Sequence, residues 1–193
     1  EYGHPIYLIS DEPYREIAFD GVQVPYLTKY YDNTFVCYSY SKSLSLPGER
    51  IGYLVIPDAL KDSQEVFNAA TIANRVMGAV NAPSLMQRVI KRCVDENVNL
   101  EAYDRNRNLL YNGLRDLGFE CIKPEGAFYL FLKSPEADEK KFCASCKKYN
   151  ILVVPGSSFA CPGYVRISYC VSYGQIERSL PAFRKVAADY GLV

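Results

Sequence analysis

The sequence predicts an α/β chain in two parts: a piece of a larger α/β sheet over residues 1–100, then a compact α+β unit over residues 101–193. Three observations carry this. Short apolar runs near the start end in polar residues, as buried parallel strands do. The apolar spacing then turns helical between Leu60 and Val94. Beyond Gly118 the style changes again, to short strands broken by Pro and Gly and interleaved with helices.

Taken in order, Ile6–Ile9 (Ile-Tyr-Leu-Ile) runs into Ser10-Asp11-Glu12 and reads as a buried parallel strand with chemistry at its carboxyl end. Thr34–Tyr40 is β-branched and aromatic, a second strand. Ile51–Ile56, stopped by Pro57, is a third. Leu60, Val66, Phe67, Ala70, Ile72 and Ala73 recur at helical spacing. Pro83 presets a further helix start, and its face is Leu85, Val89, Ile90, Cys93 and Val94. A charged helix over Leu100–Leu117 stops at Gly118. Strands follow at Phe119–Ile122 and Phe128–Leu132, a helix between Glu136 and Tyr149, and strands at Ile151–Val154 and Tyr164–Tyr169. Ser172 and Gln175 predict a capping box on a last helix, which Pro181 should bend or break.

Composition bounds the partners. Lys+Arg and Asp+Glu are equal at 22 each, so no basic field points to nucleic acid or an anionic membrane. No apolar run reaches membrane-spanning length. The stretch from Glu1 to Pro5 has neither a basic region nor an apolar signal core. Seven cysteines, mostly in apolar runs, read as free thiols of a cytoplasmic protein. Cys143-x-x-Cys146 lacks the further ligands of a metal site and reads as two positions on a helix; His4, with no evident partner, reads as a loop residue.

The chemistry concentrates in Ser39-Tyr-Ser41-Lys42, followed eight residues later by Arg50. An amine at the end of an apolar strand suits a Schiff base with a phosphorylated aldehyde. Hydroxyls from Ser39 and Ser41 and the guanidinium of Arg50 suit the phosphate. Asp11 and Tyr14 follow the first strand as D-x-x-Y; a carboxylate there can hold a pyridine nitrogen protonated, and a phenol can meet a ring oxygen. Arg166 stands alone in the apolar strand Tyr164-Val-Arg-Ile-Ser168 and calls for an anion, a substrate carboxylate being the sharper reading.

These segments, in this order, resemble the C-terminal half of a class I/II pyridoxal-phosphate aminotransferase of the aspartate aminotransferase family, fold type I. Besides D-x-x-Y and S-x-S-K…R, the match includes E-G-A-F-Y at Glu125–Tyr129, V-P-G-S-x-F at Val154–Phe159 and V-R-I-S at Val165–Ser168. The resemblance implies a partial large-domain sheet of a fold type I enzyme followed by a small C-terminal domain. It implies that Lys42 holds pyridoxal 5′-phosphate as a Schiff base and shuttles the proton. Asp11 would pair with the pyridinium nitrogen, and Tyr14 would bond the ring oxygen. Ser39, Ser41 and Arg50 would bind the phosphate, and Arg166 the substrate α-carboxylate. An amino acid and a 2-oxo acid would be the substrates, and a homodimer the assembly, with Asn74–Gln87 a plausible contact.

The same resemblance implies parts that this chain lacks: a small-residue phosphate loop, an aromatic stacked on the ring, and an N-P-x-N-P-T-G motif. The expectation is a fragment that binds cofactor poorly and has negligible activity. Two other functions share these positions: a C–S β-lyase or synthase on the same scaffold, and an effector-sensing domain of a transcription regulator.

Overall fold

The structure is a computed structural model and describes residues 3–193; Glu1 and Tyr2 of the N-terminal stretch lie outside them. The polypeptide divides into two compact units, Glu1–Val98 and Asn99–Val193.

The first unit is built on a three-stranded sheet in the order β1 (Leu8–Asp11), β2 (Thr34–Ser39), β3 (Gly52–Val55). β1 and β2 are parallel, with Asp11 opposite Cys37, and β2 and β3 are antiparallel, with Ser39 opposite Gly52. The close strand approach needs that glycine: a Cβ on Gly52 would lie 2.2 Å from the Tyr38 carbonyl oxygen. A one-turn helix, α1 (Tyr40–Ser43), follows β2, and α2 (Ser63–Val76) and α3 (Ser84–Cys93) complete the unit. Ile17, Phe19, Val36, Ile51, Leu60 and Ile90 form its core.

Several expectations shift here. The first strand lies two residues later than Ile6–Ile9, and it is not buried: Leu8 is 39% and Ile9 68% exposed. An apolar run predicts cover on both faces, but within this unit β1 has one neighbour strand and little over it. Leu60 is buried ahead of α2 rather than on its face, because Asp62 takes a left-handed φ of 57° and starts the helix only at Ser63. No side chain of α2 is buried within the unit, and Phe67 and Ile72 are exposed.

The second unit holds the sheet order β4 (Tyr129–Lys133), β6 (Tyr164–Ser168), β5 (Val154–Pro155), all antiparallel. α4 (Leu100–Asp116), α5 (Glu139–Lys148) and α6 (Tyr173–Asp189) bury their apolar faces against one side. Asn99 caps α4 by accepting from the Ala102 amide at 2.9 Å, and Asp138 caps α5 through Lys140 at 3.0 Å. Leu130, Leu132 and Val165 alternate into the core, so Tyr129, Phe131 and Arg166 stand on the opposite face.

Several expectations shift in this unit as well. Phe119–Ile122 is no strand; it makes a single bridge, Cys121 to Leu132. Ile151–Val154 is reduced to the two-residue β5, because Ile151 is drawn into the α5 terminus, its amide donating to Cys146 O at 3.1 Å. The capping box does not form: Ser172 is the N-cap of α6, but its hydroxyl makes no cap bond. Pro181 does not break α6, which continues to Asp189. Glu177 and Pro181 are both exposed, so water can take the carbonyl that proline leaves unpaired.

Leu114 is wholly buried among these helices and strands. Leu114→Ala removes buried methyls and leaves a void, and we expect it to cost about 2–5 kcal/mol in urea unfolding. Glu139 carries a pH-dependent share of stability. A hydrogen bond from Ser157, with the amides of Glu139 and Gly163, holds its carboxyl below the ordinary 4.5. The contribution is therefore complete above that value and lost as pH falls through the depressed one. Glu139→Gln should lower Tm at neutral pH, and the gap should close in acid; a gap that widens in acid would contradict this assignment.

Candidate functional site

In the first unit the sequence-selected residues gather at the carboxyl ends of the parallel pair, where open α/β sheets bind ligands. Asp11 ends β1 and is exposed. The Glu12 amide donates to Cys37 O at 2.8 Å, so the chain leaving β1 is still tied to β2. Asp11 lies opposite Cys37 across the strand pair; burial pushes the Cys37 thiol up, and the Asp11 charge adds to it. Tyr14 lies in the turn that follows, and the Lys42 Nζ stands 5.5 Å from its ring centroid.

Lys42 is half-buried on α1, a single turn that begins where β2 ends. Ser39 starts the turn: its Oγ accepts from the Ser41 amide at 3.2 Å and lies 2.7 Å from the Ser41 hydroxyl. The two hydroxyls thus form one polar patch on the shoulder that carries Lys42. From below, Tyr38 donates to Ser43 Oγ at 2.8 Å, and Ser43 is buried. Tyr38 stacks on Tyr53 with centroids 4.9 Å apart, and burial raises its phenol well above the ordinary value.

Arg50 sits just before β3. The Tyr40 amide donates to Ile51 O at 3.2 Å, which holds this stretch against the start of α1. Arg50 is exposed, has a left-handed φ of 51°, and donates from Nη1 to Pro47 O at 2.9 Å. That single neutral acceptor leaves most of its donors for another partner.

Sequence reasoning missed the bracing around this cluster. Glu12, 8% exposed, pairs with Arg15 and accepts from its Nε at 2.6 Å. Arg15 also donates to the carbonyls of Val24 and Pro25 at 2.6 and 3.0 Å, pinning the loop ahead of β2. The acidic-then-basic spacing Glu12-x-x-Arg15 was the available signal.

Arg166 lies in the second unit, half-buried rather than fully buried, on the open face of the sheet. Its guanidinium carbon is 3.6 Å from the Phe159 ring centroid and 4.1 Å from that of Tyr129. Among the described residues no carboxylate pairs with it. The fully buried arginine of this unit is Arg107, which the sequence reading passed over. It pairs with Asp104 and donates to Pro124 O at 2.6 Å. Its Asp-x-x-Arg spacing would have flagged it as structural.

Among the described residues no group of acidic, cysteine and histidine side chains could hold a metal ion, and no helix is long and apolar enough to cross a membrane.

Comparison with known proteins identifies the family of the chain. The family described as "Aminotransferase class I and II" matches residues 2–183. The chain is 31% identical, over 98% of its length, to "Aromatic-amino-acid aminotransferase 2" of Thermococcus litoralis, covering 51% of that protein. It is 30% identical, over 96% of its length, to an aspartate aminotransferase of Pyrococcus abyssi, covering 50% of that one. Among solved structures, an amino transferase from Eubacterium rectale superposes with a TM-score of 0.95 at 53% identity, over 97% of this chain and 47% of that one. The chain spans about half the length of the curated relatives it matches. Its architecture is the partial fold type I arrangement of those proteins, and the chain belongs to the class I and II aminotransferase family.

Proposed function

We propose that this chain is the C-terminal half of a pyridoxal-phosphate-dependent aminotransferase that moves an amino group between an L-amino acid and a 2-oxo acid. In this reading the first unit is the C-terminal part of the cofactor-binding large domain, and the second is the small domain. The observation that carries it is the placement of Lys42. Its amine stands beside the Tyr14 ring, on the turn that also presents the Ser39 and Ser41 hydroxyls, at the end of the strand pair that carries Asp11.

The donor set fits the cofactor. An amine, a phenol, two adjacent hydroxyls, a carboxylate and a guanidinium with spare donors match an aldehyde, a ring oxygen, a phosphate and a pyridine nitrogen. When bound, the cofactor supplies an electron sink for the charge left at the substrate α-carbon. Lys42 binds the aldehyde carbon and moves the proton at the α-carbon. Asp11 holds the proton at the ring nitrogen, and Tyr14 orients the ring through its oxygen. Ser39, Ser41 and Arg50 bind the phosphate, and Arg166 orients the substrate through its α-carboxylate.

The relatives' names span aspartate, prephenate and aromatic amino acids, so dicarboxylic and aromatic amino acids are the first substrates to assay. All seven cysteines are unpaired, which supports a reducing, cytoplasmic setting. The family resemblance supports a homodimer.

The test is a product assay on the full-length protein with an amino acid and a 2-oxo acid. Stoichiometric exchange without ammonia supports transamination. Ammonia and an oxo acid released from a thioether amino acid would replace it with the β-lyase reading. In the same assay Arg166→Lys, which loses the forked donor pair, should raise the amino-acid KM by at least about tenfold. An unchanged KM would remove Arg166 from the carboxylate site.

A further inference from the structure

We propose that Phe159 and Tyr129 are positioning residues for Arg166: their rings carry its cation in place of a carboxylate and keep its donor edge open for the substrate. The inference rests on the reading of Arg166 given above.

The arginines of this chain supply the contrast. Arg15, whose side chain is 10% exposed, has Glu12; Arg107, at 0%, has Asp104. Each is neutralised by a carboxylate three residues away in its own chain segment, and each then spends further donors on backbone carbonyls. These are structural arginines, with their charge and donors committed. Arg15 also lies 3.8 Å over the Tyr26 ring, so what sets Arg166 apart is that rings meet it with no described carboxylate beside them. Arg166 is also drawn out of water, yet no described carboxylate meets it. What meets it is aromatic: Phe159 at 3.6 Å and Tyr129 at 4.1 Å from the guanidinium carbon.

Ring faces attract a cation without consuming its N–H groups. They offset part of the cost of withdrawing the charge from water, as a carboxylate would. Unlike a carboxylate, they leave the in-plane donors free to take an incoming anion bidentately. They also restrict a flexible side chain, so less freedom is lost when the ligand arrives.

Each ring has a reason to be there. Tyr129 is on β4, opposite Ser168, and Phe131 is opposite Arg166, so all three share the open face with Arg166. Phe159 ends the 3-10 turn Gly156–Phe159. That turn lies against the sheet only because residue 156 is glycine: a Cβ there would sit 2.1 Å from Cys161 O and 2.6 Å from Tyr164 O. Phe131 then meets Phe159 edge-on at 6.4 Å and steadies it.

The experiment uses the full-length protein and the variants Phe159→Leu, Phe159→Tyr and Tyr129→Leu. It reads KM, kcat and the calorimetric Kd for maleate, an unreactive carboxylate. With the leucine variants, KM and Kd should both rise by about tenfold, the scale of a partly desolvated cation–ring contact. That rise should exceed any fall in kcat, and Phe159→Tyr should restore both constants. The proposal is overturned if Arg166→Lys weakens maleate binding while Phe159→Leu and Tyr129→Leu, folded by circular dichroism, bind it as tightly as wild type. If Arg166→Lys itself leaves maleate binding unchanged, the carboxylate reading fails, and this proposal with it.

Discussion

Lys42→Ala in the full-length protein should abolish transamination, lowering kcat by about ten-thousandfold or more, the upper range for one positioned acid–base group. The lysine has two tasks in this account: it binds the aldehyde carbon and it moves the α-carbon proton. Alanine removes both at once. The fold should not suffer. Lys42 is half-buried on a one-turn helix that is also anchored by the Ser39 N-cap, the Tyr38–Ser43 bond and the Tyr40–Ile51 backbone contact, all of which the substitution leaves in place. A variant with unchanged Tm and lost turnover is the expected pair of readings. Retained turnover within tenfold of wild type would assign the chemistry elsewhere.

The second large effect concerns the chain by itself. We expect it to turn over at least about a hundredfold more slowly than the full-length protein, since misplacing groups in a site costs that much even when they are present. The physical reason is visible in the first unit. Its sheet has three strands, β1 is exposed along its apolar residues, and α2 buries none of its side chains. Such a surface invites association with other chains. The second unit, with its filled core around Leu114, Leu130 and Phe183, should remain folded. Thermal unfolding of the chain should therefore show a weak early transition and a firmer later one. Steady-state rates for the chain and the full-length protein, measured side by side, check the main claim; comparable rates would refute it.

How much of this was legible in the sequence depends on how local the cause was. Helices with local signals were readable: the charged run Leu100–Leu117 with its stop at Gly118 gives α4, and the stretch between Glu136 and Tyr149 holds α5, whereas their caps at Asn99 and Asp138 came only from the structure. The strand ends that carry Asp11 and Lys42 were readable because apolar runs give way to polar residues there. What failed was non-local. Ile6–Ile9 looked buried because its composition is that of a covered strand, but in this unit β1 is an edge strand with Leu8 and Ile9 exposed. Phe119–Ile122 has strand composition, but only Cys121 finds a bridge. The Ser172 hydroxyl had the spacing of a capping box and not the contact.

The site followed the same division. Candidate residues were named from their chemistry, but what supports them was not. Nothing in Tyr38 alone announced a hydroxyl braced against Ser43. Phe159 and Tyr129 stood inside recognised segments, yet their service to Arg166 depends on pairing across β4, β6 and the Gly156 turn. Arg166 was expected to be buried and to need an anion. The structure shows it half-buried against two rings, so it can be held without one.

The measurement closest to the central claim is chemical. The full-length protein is incubated with pyridoxal phosphate, reduced with borohydride, digested and mapped by mass spectrometry. The account predicts one stable adduct, on the peptide containing Lys42. A protein that binds the cofactor and carries its adduct on another lysine, or carries none, would contradict it.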